Sequence, residues 1–216
     1  IQDSSNFIDM FSQDIWFSKY IDKQFDIVTM MFALHYMFNN EESVNALIQN
    51  INTTINKGGY FVGCCFDGKA VFDLLKDLDI NQTKNGYKNG EIIWKIQKKY
   101  NLDSWEQEED SIFYDLPIDV YIRSINMNIT EYLVNFDMFI KKLDAVNIKL
   151  VETKLFKDIY NDKKNKNKTL SDDEQILSFL NRQFVFQKLS DEEIVIDSMT
   201  TVALEIIHND YNQNIF

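Results

Sequence analysis

The chain has 216 residues, of which 45% are hydrophobic and 14% aromatic, enough to bury one sizeable core. Its formal net charge of −12 argues against a non-specific nucleic-acid binder, because such a protein needs a basic face for phosphate contacts. Its apolar runs are far shorter than the ~20 residues of a membrane span, and no signal-peptide pattern opens the chain. We therefore expect no membrane partner and a cytoplasmic location.

The first third of the chain alternates between strand and helix patterns. Residues 1–5 resemble a strand end, and residues 6–21 have the spacing of a helix or a helical loop. The apolar run "FDIVTMMFAL" is typical of a strand buried on both faces of a parallel sheet, and it ends at His35 and Tyr36. Residues 39–59 then predict a helix, capped by Asn39 or Asn40 and terminated by Gly58-Gly59.

A second strand, "YFVGCCF", and a second helix, "DGKAVFDLLKDL", follow. Strand, helix, strand and helix in this order predict an α/β fold with a doubly wound sheet and right-handed crossovers. Cys64 and Cys65 are adjacent, and this spacing fits no metal site, so we expect two buried thiols, no disulfide and no metal.

The remainder of the chain mixes strands and helices. Segments 91–100 and 111–125 have the alternation of antiparallel strands, separated by an acidic loop. Residues 130–146 predict an amphipathic helix capped by Thr130, and residues 148–156 a strand. Residues 157–169 are polar and of low complexity, either a solvated linker or a nucleic-acid patch. Residues 171–189 predict a helix that begins with a capping pattern, and residues 199–208 a closing strand.

These elements predict one domain over residues 1–216. Residues 1–80 hold the βα units, residues 81–125 form an antiparallel insertion after the second helix, and residues 126–216 supply the carboxyl-terminal helices and closing strands.

Side chains suited to ligand binding follow the predicted strands. Open α/β sheets bind ligands at the carboxyl ends of their strands, where His35 and Tyr36 lie together with Asp3 and the pair Phe66-Asp67. Taken singly, His35 could be a core histidine and Tyr36 a packed aromatic residue. Their joint position favours a ligand site.

Three motifs carry a resemblance to a known family. The chain contains Phe-x-x-His-Tyr at residues 32–36, "GGYF" at 58–61 and "TEYLV" at 130–134. In this order and spacing they resemble the messenger RNA cap guanine-N7 methyltransferases, and the resemblance covers most of the chain, with features closer to viral-type capping enzymes. It implies a class I S-adenosylmethionine-dependent methyltransferase with a Rossmann-like sheet that lacks its first strands here.

The resemblance also implies roles for individual residues. Phe32 and Tyr36 pack on the cap guanine, and His35 donates a hydrogen bond to its O6. Glu131 accepts from N1–H and the N2 amino group, and Phe66 replaces a proline that borders the base. Outside the resemblance, Glu131 is an ordinary first-turn glutamate of a helix capped by Thr130. No catalytic acid or base is expected.

The methyl donor implied by the resemblance is S-adenosyl-L-methionine, converted to S-adenosyl-L-homocysteine. Asp3 and Ser4 then form the turn that holds its adenine, although an Asx turn alone would explain them. Tyr36 borders the donor, and Met31 stands where many family members have glutamine. A tyrosine of the last strand is replaced near Ala203.

The family's glycine-rich donor loop is missing from these residues, which contain six glycines and no GxG. We therefore expect a longer protein, whose remaining amino-terminal part covers an otherwise exposed apolar edge and whose other partner is 5′-capped RNA (the GpppN end). The enzyme would be cytoplasmic, in a virion or viral factory if viral, or nuclear if cellular. The alternatives are a non-catalytic stimulatory subunit of a capping complex and a small-molecule methyltransferase.

Overall fold

A computed structural model of the protein describes residues 23–106, 110–163 and 170–194. Its strands form two four-stranded sheets. The larger sheet has the order β1-β2-β8-β7 and the smaller one the order β3-β4-β5-β6. The strands are β1 (Phe25–Met31), β2 (Ile55–Phe66), β3 (Thr83–Lys88), β4 (Glu91–Lys98), β5 (Pro117–Ile122), β6 (Met127–Tyr132), β7 (Ile148–Leu155) and β8 (Asn181–Lys188).

Five α-helices connect these strands, and asparagine or aspartate side chains begin three of them. Asn40, Asp67 and Asn135 each accept a hydrogen bond from the backbone N–H three residues later, the usual N-cap arrangement. The helices are α1 (Glu41–Thr54), α2 (Gly68–Leu75), α3 (Phe136–Asp144), α4 (Phe156–Lys163) and α5 (Asp172–Phe179), with 3₁₀ helices at Leu34–Asn39 and Asp110–Phe113. Within the described ranges, no helix is both long and apolar enough to span a membrane.

The larger sheet begins with the predicted βα units. β1 and β2 run parallel and are joined by α1, whose buried face is Val44, Leu47, Ile48 and Ile51, the residues at helical spacing in the sequence. β8 pairs with β2, and β7 with β8, in antiparallel fashion. The α/β class and the two buried, free thiols at Cys64 and Cys65 are confirmed.

An aromatic cluster fills the space between this sheet and α3. Its ring centroids lie 5.3–6.4 Å apart, the separation at which aromatic pairs stabilise beyond their buried area. Five fully or nearly fully buried residues compose it: Phe61, Phe136, Phe139, Phe184 and Phe186. The cluster fixes β8 against β2 and so fixes the end of β8 that borders the site described below.

The first strand is more exposed than its apolar sequence predicts. β1 is an edge strand among the described residues, and Ile27 and Met31 are 61% and 52% exposed. Within the described residues, the prediction of a strand buried on both faces is therefore wrong, because Ile27 and Met31 lie on the same face of β1 and that face is open to solvent. That further chain covers this exposed strand stays a prediction.

Two predicted helix boundaries are also wrong. α1 ends at Thr54, and Gly58, with φ of 79°, lies within β2, where the pairing with β1 shifts register. Residues 127–132 form β6, so Thr130 does not cap a helix; α3 starts later, behind the cap Asn135. The antiparallel sheet consequently extends to Tyr132, beyond residue 125.

The second half of the predicted helix 171–189 is a strand. α5 ends at Phe179, and β8 follows at once, because β8 completes the pairing of both β2 and β7 with a buried Phe184 and Phe186. The polar segment 157–169 begins as part of α4. The predicted elements at residues 1–21 and 199–208 lie outside the described residues.

Candidate functional site

A cavity of about 870 Å³ opens at the carboxyl ends of β1 and β2, between the larger and the smaller sheet. Most of its surface is apolar, with a few polar side chains, which is the usual composition of a small-molecule site. Its walls are Phe32, His35, Tyr36, Phe66, Ile93, Trp94, Ile122, Arg123, Ser124, Ile125, Ile129, Glu131, Phe156, Glu174, Leu177, Ser178 and Asn181.

Phe32 enters the cavity from the end of β1. Its backbone N–H donates to the Cys64 oxygen at 2.7 Å, which continues the pairing with β2, while its φ of 53° is a conformation that a bulky residue rarely adopts. The ring is held edge-on to Phe156 at 6.4 Å, yet the residue is 53% exposed. Such local strain on an exposed aromatic residue is typical of a binding site.

His35 and Tyr36 sit on the 3₁₀ helix that follows. His35 is 4% exposed, and its ring lies 4.3 Å from Tyr36 and 6.1 Å from Phe66. Phe66 ends β2, so its position at the same rim follows from the parallel pairing of β1 and β2. The imidazole therefore lies beside two aromatic rings.

Glu131 reaches the same place from the smaller sheet. It lies on β6 opposite Ile118 of β5, and its Oε1 is 3.5 Å from His35 Nε2. The segment before β5 is joined to the 3₁₀ helix Leu34–Asn39 here, since the Asp115 N–H donates to the Phe38 oxygen at 3.0 Å. Both ring nitrogens of His35 and Oε2 of Glu131 are buried without a hydrogen-bond partner among the described residues.

Burial shifts the pKa values of His35 and Glu131 so that each side chain favours its neutral form. It lowers the pKa of His35 to about 4 and raises the pKa of Glu131 to about 7, because a charge is poorly solvated there. Burial, and secondarily the charge of Glu131, raises the pKa of Tyr36. At pH 7 the imidazole is thus neutral, with one donor and one acceptor nitrogen, and the carboxyl group is poised to ionise.

The structure also brings in polar residues that the sequence analysis missed. Asn181 is 5% exposed at the start of β8, and Arg123 follows β5, where it forms an ion pair with Glu91. Glu174, at the start of α5, binds Lys88 at 2.5 Å. Asn181 was missed because residues 171–189 were assigned to a single helix, in which an asparagine has no special position.

All five residues predicted to contact guanine line this one cavity: Phe32, His35, Tyr36, Phe66 and Glu131. Met31 is not among its walls; its Sδ lies 3.7 Å from Cys64 Sγ. Asp3, Ser4 and Ala203 lie outside the described residues. The roles of all these residues stay predictions.

Within residues 23–106, 110–163 and 170–194, no group of three or more histidine, cysteine, aspartate or glutamate side chains is placed to hold a metal ion.

Curated relatives and solved structures resemble the chain at low identity. A protein of Schizosaccharomyces pombe named mRNA cap guanine-N(7) methyltransferase is 27% identical over 147 residues, which are 66% of this chain and 38% of the relative. One of Aspergillus niger with the same name is 27% identical over 143 residues, or 65% of this chain and 22% of the relative. The chain thus spans less than two fifths of the length of either.

An S-adenosylmethionine-dependent methyltransferase from Clostridium acetobutylicum superposes with a TM-score of 0.45 at 11% identity, over 79% of this chain and 61% of that one, a likeness too loose to carry an argument. The decisive match is to a family model. The model of the mRNA (guanine-N(7))-methyltransferase domain matches residues 5–199, and the protein therefore belongs to this family of methyltransferase domains.

Proposed function

We propose that the protein is an mRNA cap guanine-N7 methyltransferase, which transfers a methyl group from S-adenosylmethionine to N7 of the GpppN cap. One observation carries the proposal beyond family membership. A buried imidazole and a buried carboxyl group, 3.5 Å apart, have unpartnered polar atoms in a cavity walled by aromatic rings. Leaving such atoms unpaired costs about 1–3 kcal/mol each, so a ligand with matching groups would bind strongly.

The guanine base has the matching groups. Its O6 accepts a hydrogen bond, while N1–H and the N2 amino group donate, and these three lie consecutively along one edge of the base. A neutral His35 presents a donor for O6 beside Glu131, whose two oxygens accept from N1–H and N2. Adenine presents a donor and then an acceptor in the corresponding places, so the same pair would reject it by roughly 1–3 kcal/mol.

The aromatic walls suit the base and the chemistry of the reaction. Phe32, Tyr36 and Phe66 border the His35–Glu131 pair and offer ring faces on which a planar base packs. N7 of guanine carries a lone pair and no proton, so the reaction needs no general base. Methylation makes the base cationic, and both the ring faces and the Glu131 carboxylate attract the cation more strongly than neutral guanine.

These residues therefore accelerate the reaction by orienting the base and by stabilising the positive charge. Holding N7 in line with the methyl group contributes several kcal/mol through proximity alone. No residue is assigned a proton-transfer step. Burial lowers the pKa of His35 to about 4, so the imidazole that meets the base at pH 7 is neutral.

S-adenosylmethionine would supply an electrophilic methyl group. The described residues fit one wall of its site: Tyr36 borders the cavity, and Met31 exposes half of its surface where β1 ends, immediately before the cavity residue Phe32. These positions lie at the carboxyl ends of parallel strands, where open α/β sheets hold ligands. Asp3 and Ser4 are proposed for its adenine.

The substrate is 5′-capped RNA, recognised through the cap and not through a general basic surface, since the net charge is −12. The second proposed partner is the amino-terminal remainder of the methyltransferase or capping enzyme. It would cover the exposed β1 edge and provide the glycine-rich loop.

Titration calorimetry tests the proposal in the longest natural form of the protein that contains these residues. We expect it to bind a GpppG cap analogue and, separately, S-adenosylhomocysteine, while the matched ApppA analogue binds at least tenfold more weakly. Binding of neither ligand by a folded protein would contradict the proposal and favour a non-catalytic subunit. Binding of S-adenosylhomocysteine without GpppG would instead favour a small-molecule methyltransferase.

A further inference from the structure

Asn181 lies beside the proposed guanine site. It is the first residue of β8 and pairs directly with Phe66, the last residue of β2. Side chains that are directly opposite in an antiparallel pair lie on the same face of the sheet. Asn181 therefore stands next to the ring that faces His35, and both side chains line the cavity.

The orientation of the Asn181 amide follows from its hydrogen bonds. Nδ2 donates to the backbone oxygens of Leu177 at 3.2 Å and Ser178 at 3.1 Å, which closes the carboxyl-terminal end of α5. Oδ1 is thereby the remaining polar atom, and it can only accept hydrogen bonds.

No described residue donates a hydrogen bond to that oxygen. Oδ1 of Asn181 is buried without a hydrogen bond among the described residues, in a residue that is 5% exposed. A role limited to closing α5 uses the amide nitrogen and leaves the burial of the oxygen uncompensated, which is costly. A ligand that donates a hydrogen bond to Asn181 Oδ1 would explain why this acceptor belongs to a residue of the cavity wall.

Building on the proposed function, we infer that Asn181 recognises the nucleoside that is methylated by accepting a hydrogen bond through Oδ1. Glu131 has two oxygens, which take N1–H and one hydrogen of the N2 amino group. The second amino hydrogen and the ribose hydroxyls remain as donors, and each matches the single acceptor that Asn181 offers. Asn181 is thus a specificity-determining residue that complements Glu131 from the opposite sheet.

A set of cap analogues tests this inference by calorimetry, each lacking one donor. An inosine cap lacks the N2 amino group, and 2′-deoxy and 3′-deoxyguanosine caps each lack one ribose hydroxyl. We expect Asn181→Ala to weaken GpppG binding by roughly 3- to 10-fold, the effect of losing one hydrogen bond. For one of the analogues, Asn181→Ala and the unaltered protein should bind equally, and that analogue identifies the donor.

Two further variants separate recognition from folding. Asn181→Leu removes the acceptor but keeps the volume, and it should reproduce the alanine result if alanine lowers Tm. Asn135→Ala is the matched control, because Asn135 is also buried but its Oδ1 is occupied by the Met138 N–H at 3.0 Å, away from the cavity walls. It should leave all four affinities unchanged.

The outcomes are distinct. An equal loss for GpppG and for every analogue, or no loss at all, overturns the inference and leaves Asn181 as the closing residue of α5. If the unaltered protein binds no GpppG, the proposed function fails and the inference fails with it. If it binds GpppG and the Asn181 variants do so equally well, only the inference fails.

Discussion

Substituting Glu131 by glutamine separates recognition from stability. The change keeps the size of the side chain but replaces one acceptor oxygen by an NH₂ donor. In the proposed complex, Glu131 accepts from N1–H and the N2 amino group, so the variant loses at least one of these hydrogen bonds and places a donor against a donor. Cap binding should therefore fall, although the fold keeps the same shape.

The site sets the size of the expected changes in cap affinity and in stability. Hydrogen bonds to a charged group contribute about 1.5–3 kcal/mol each. The loss of one of them, together with a buried donor left facing another donor at a further cost of about 1–3 kcal/mol, is worth about 3 kcal/mol, or roughly 100-fold in affinity. Stability should move the other way. Burial raises the pKa of Glu131 from 4.5 to about 7, so the folded state holds the proton more tightly than the unfolded state, and ionisation above pH 7 costs up to about 3 kcal/mol. Glutamine does not ionise.

The assay combines GpppG titration with thermal unfolding at pH 8. We expect Glu131→Gln to bind at least 100-fold more weakly, with a Tm equal to or above that of the unaltered protein. Glu152→Gln is the matched control, since Glu152 is also a strand glutamate but is exposed on β7 and lies 3.8 Å from Lys154. It should change neither quantity.

A parallel loss of Tm and of cap affinity would contradict the proposed role, because it would make Glu131 a structural residue. Unchanged cap affinity at an unchanged Tm would refute it as well.

Three further predictions concern pH, the aromatic wall and the packing of the sheet. Free Glu131 is protonated below about pH 7, whereas the bound form accepts two hydrogen bonds through its carboxylate. GpppG affinity, measured by titration, should therefore drop about fivefold from pH 7 to pH 6, and Glu131→Gln should abolish this pH dependence. A flat profile in the unaltered protein would contradict this. Phe32→Ala should weaken GpppG binding by roughly 10-fold, since base stacking contributes about 1–3 kcal/mol. Its Tm should be unchanged, because the Phe32 ring is half exposed. An intact affinity would show that Phe32 does not contact the base. Gly63→Ala should lower the free energy of unfolding by about 3 kcal/mol in denaturant titrations, because the new Cβ would lie 2.2 Å from the Met30 oxygen and 2.4 Å from Phe184 Cζ. Gly90→Ala is the control: no atom lies within 4 Å of its Cβ, so only the cost of the positive φ, about 1–2 kcal/mol, applies. Equal effects of the two substitutions would contradict this prediction.

The parallel part of the fold was predictable because its signals are local. Asn40 caps α1, and the apolar residues of that helix repeat at helical spacing, so both the helix and its buried face can be inferred without tertiary information. The same holds for α2, where Asp67 provides the cap. These elements place Phe32, His35 and Phe66 at one edge of the sheet.

The antiparallel parts were harder because long-range pairing overrides local pattern. "TEYLV" fits a helix start, yet Glu131 pairs with Ile118 on β5. The helix α3 begins only after its N-cap Asn135. Likewise "NRQFVFQK" continues the spacing of α5, but Phe184 and Phe186 are buried between β2 and β7. Motif resemblance selected Glu131 despite the wrong element, whereas Asn181 matched no motif and is visible only in three dimensions.

Methyl transfer itself distinguishes a cap methyltransferase from a non-catalytic subunit and from a small-molecule methyltransferase. The longest natural form of the protein would be incubated with GpppG and S-adenosylmethionine carrying a labelled methyl group, and the product would be digested and analysed by mass spectrometry against 7-methylguanosine. The account predicts label at N7 of the cap guanine and none with ApppA. Absence of labelled 7-methylguanosine from a folded protein that binds both ligands, or label at another atom, would contradict it.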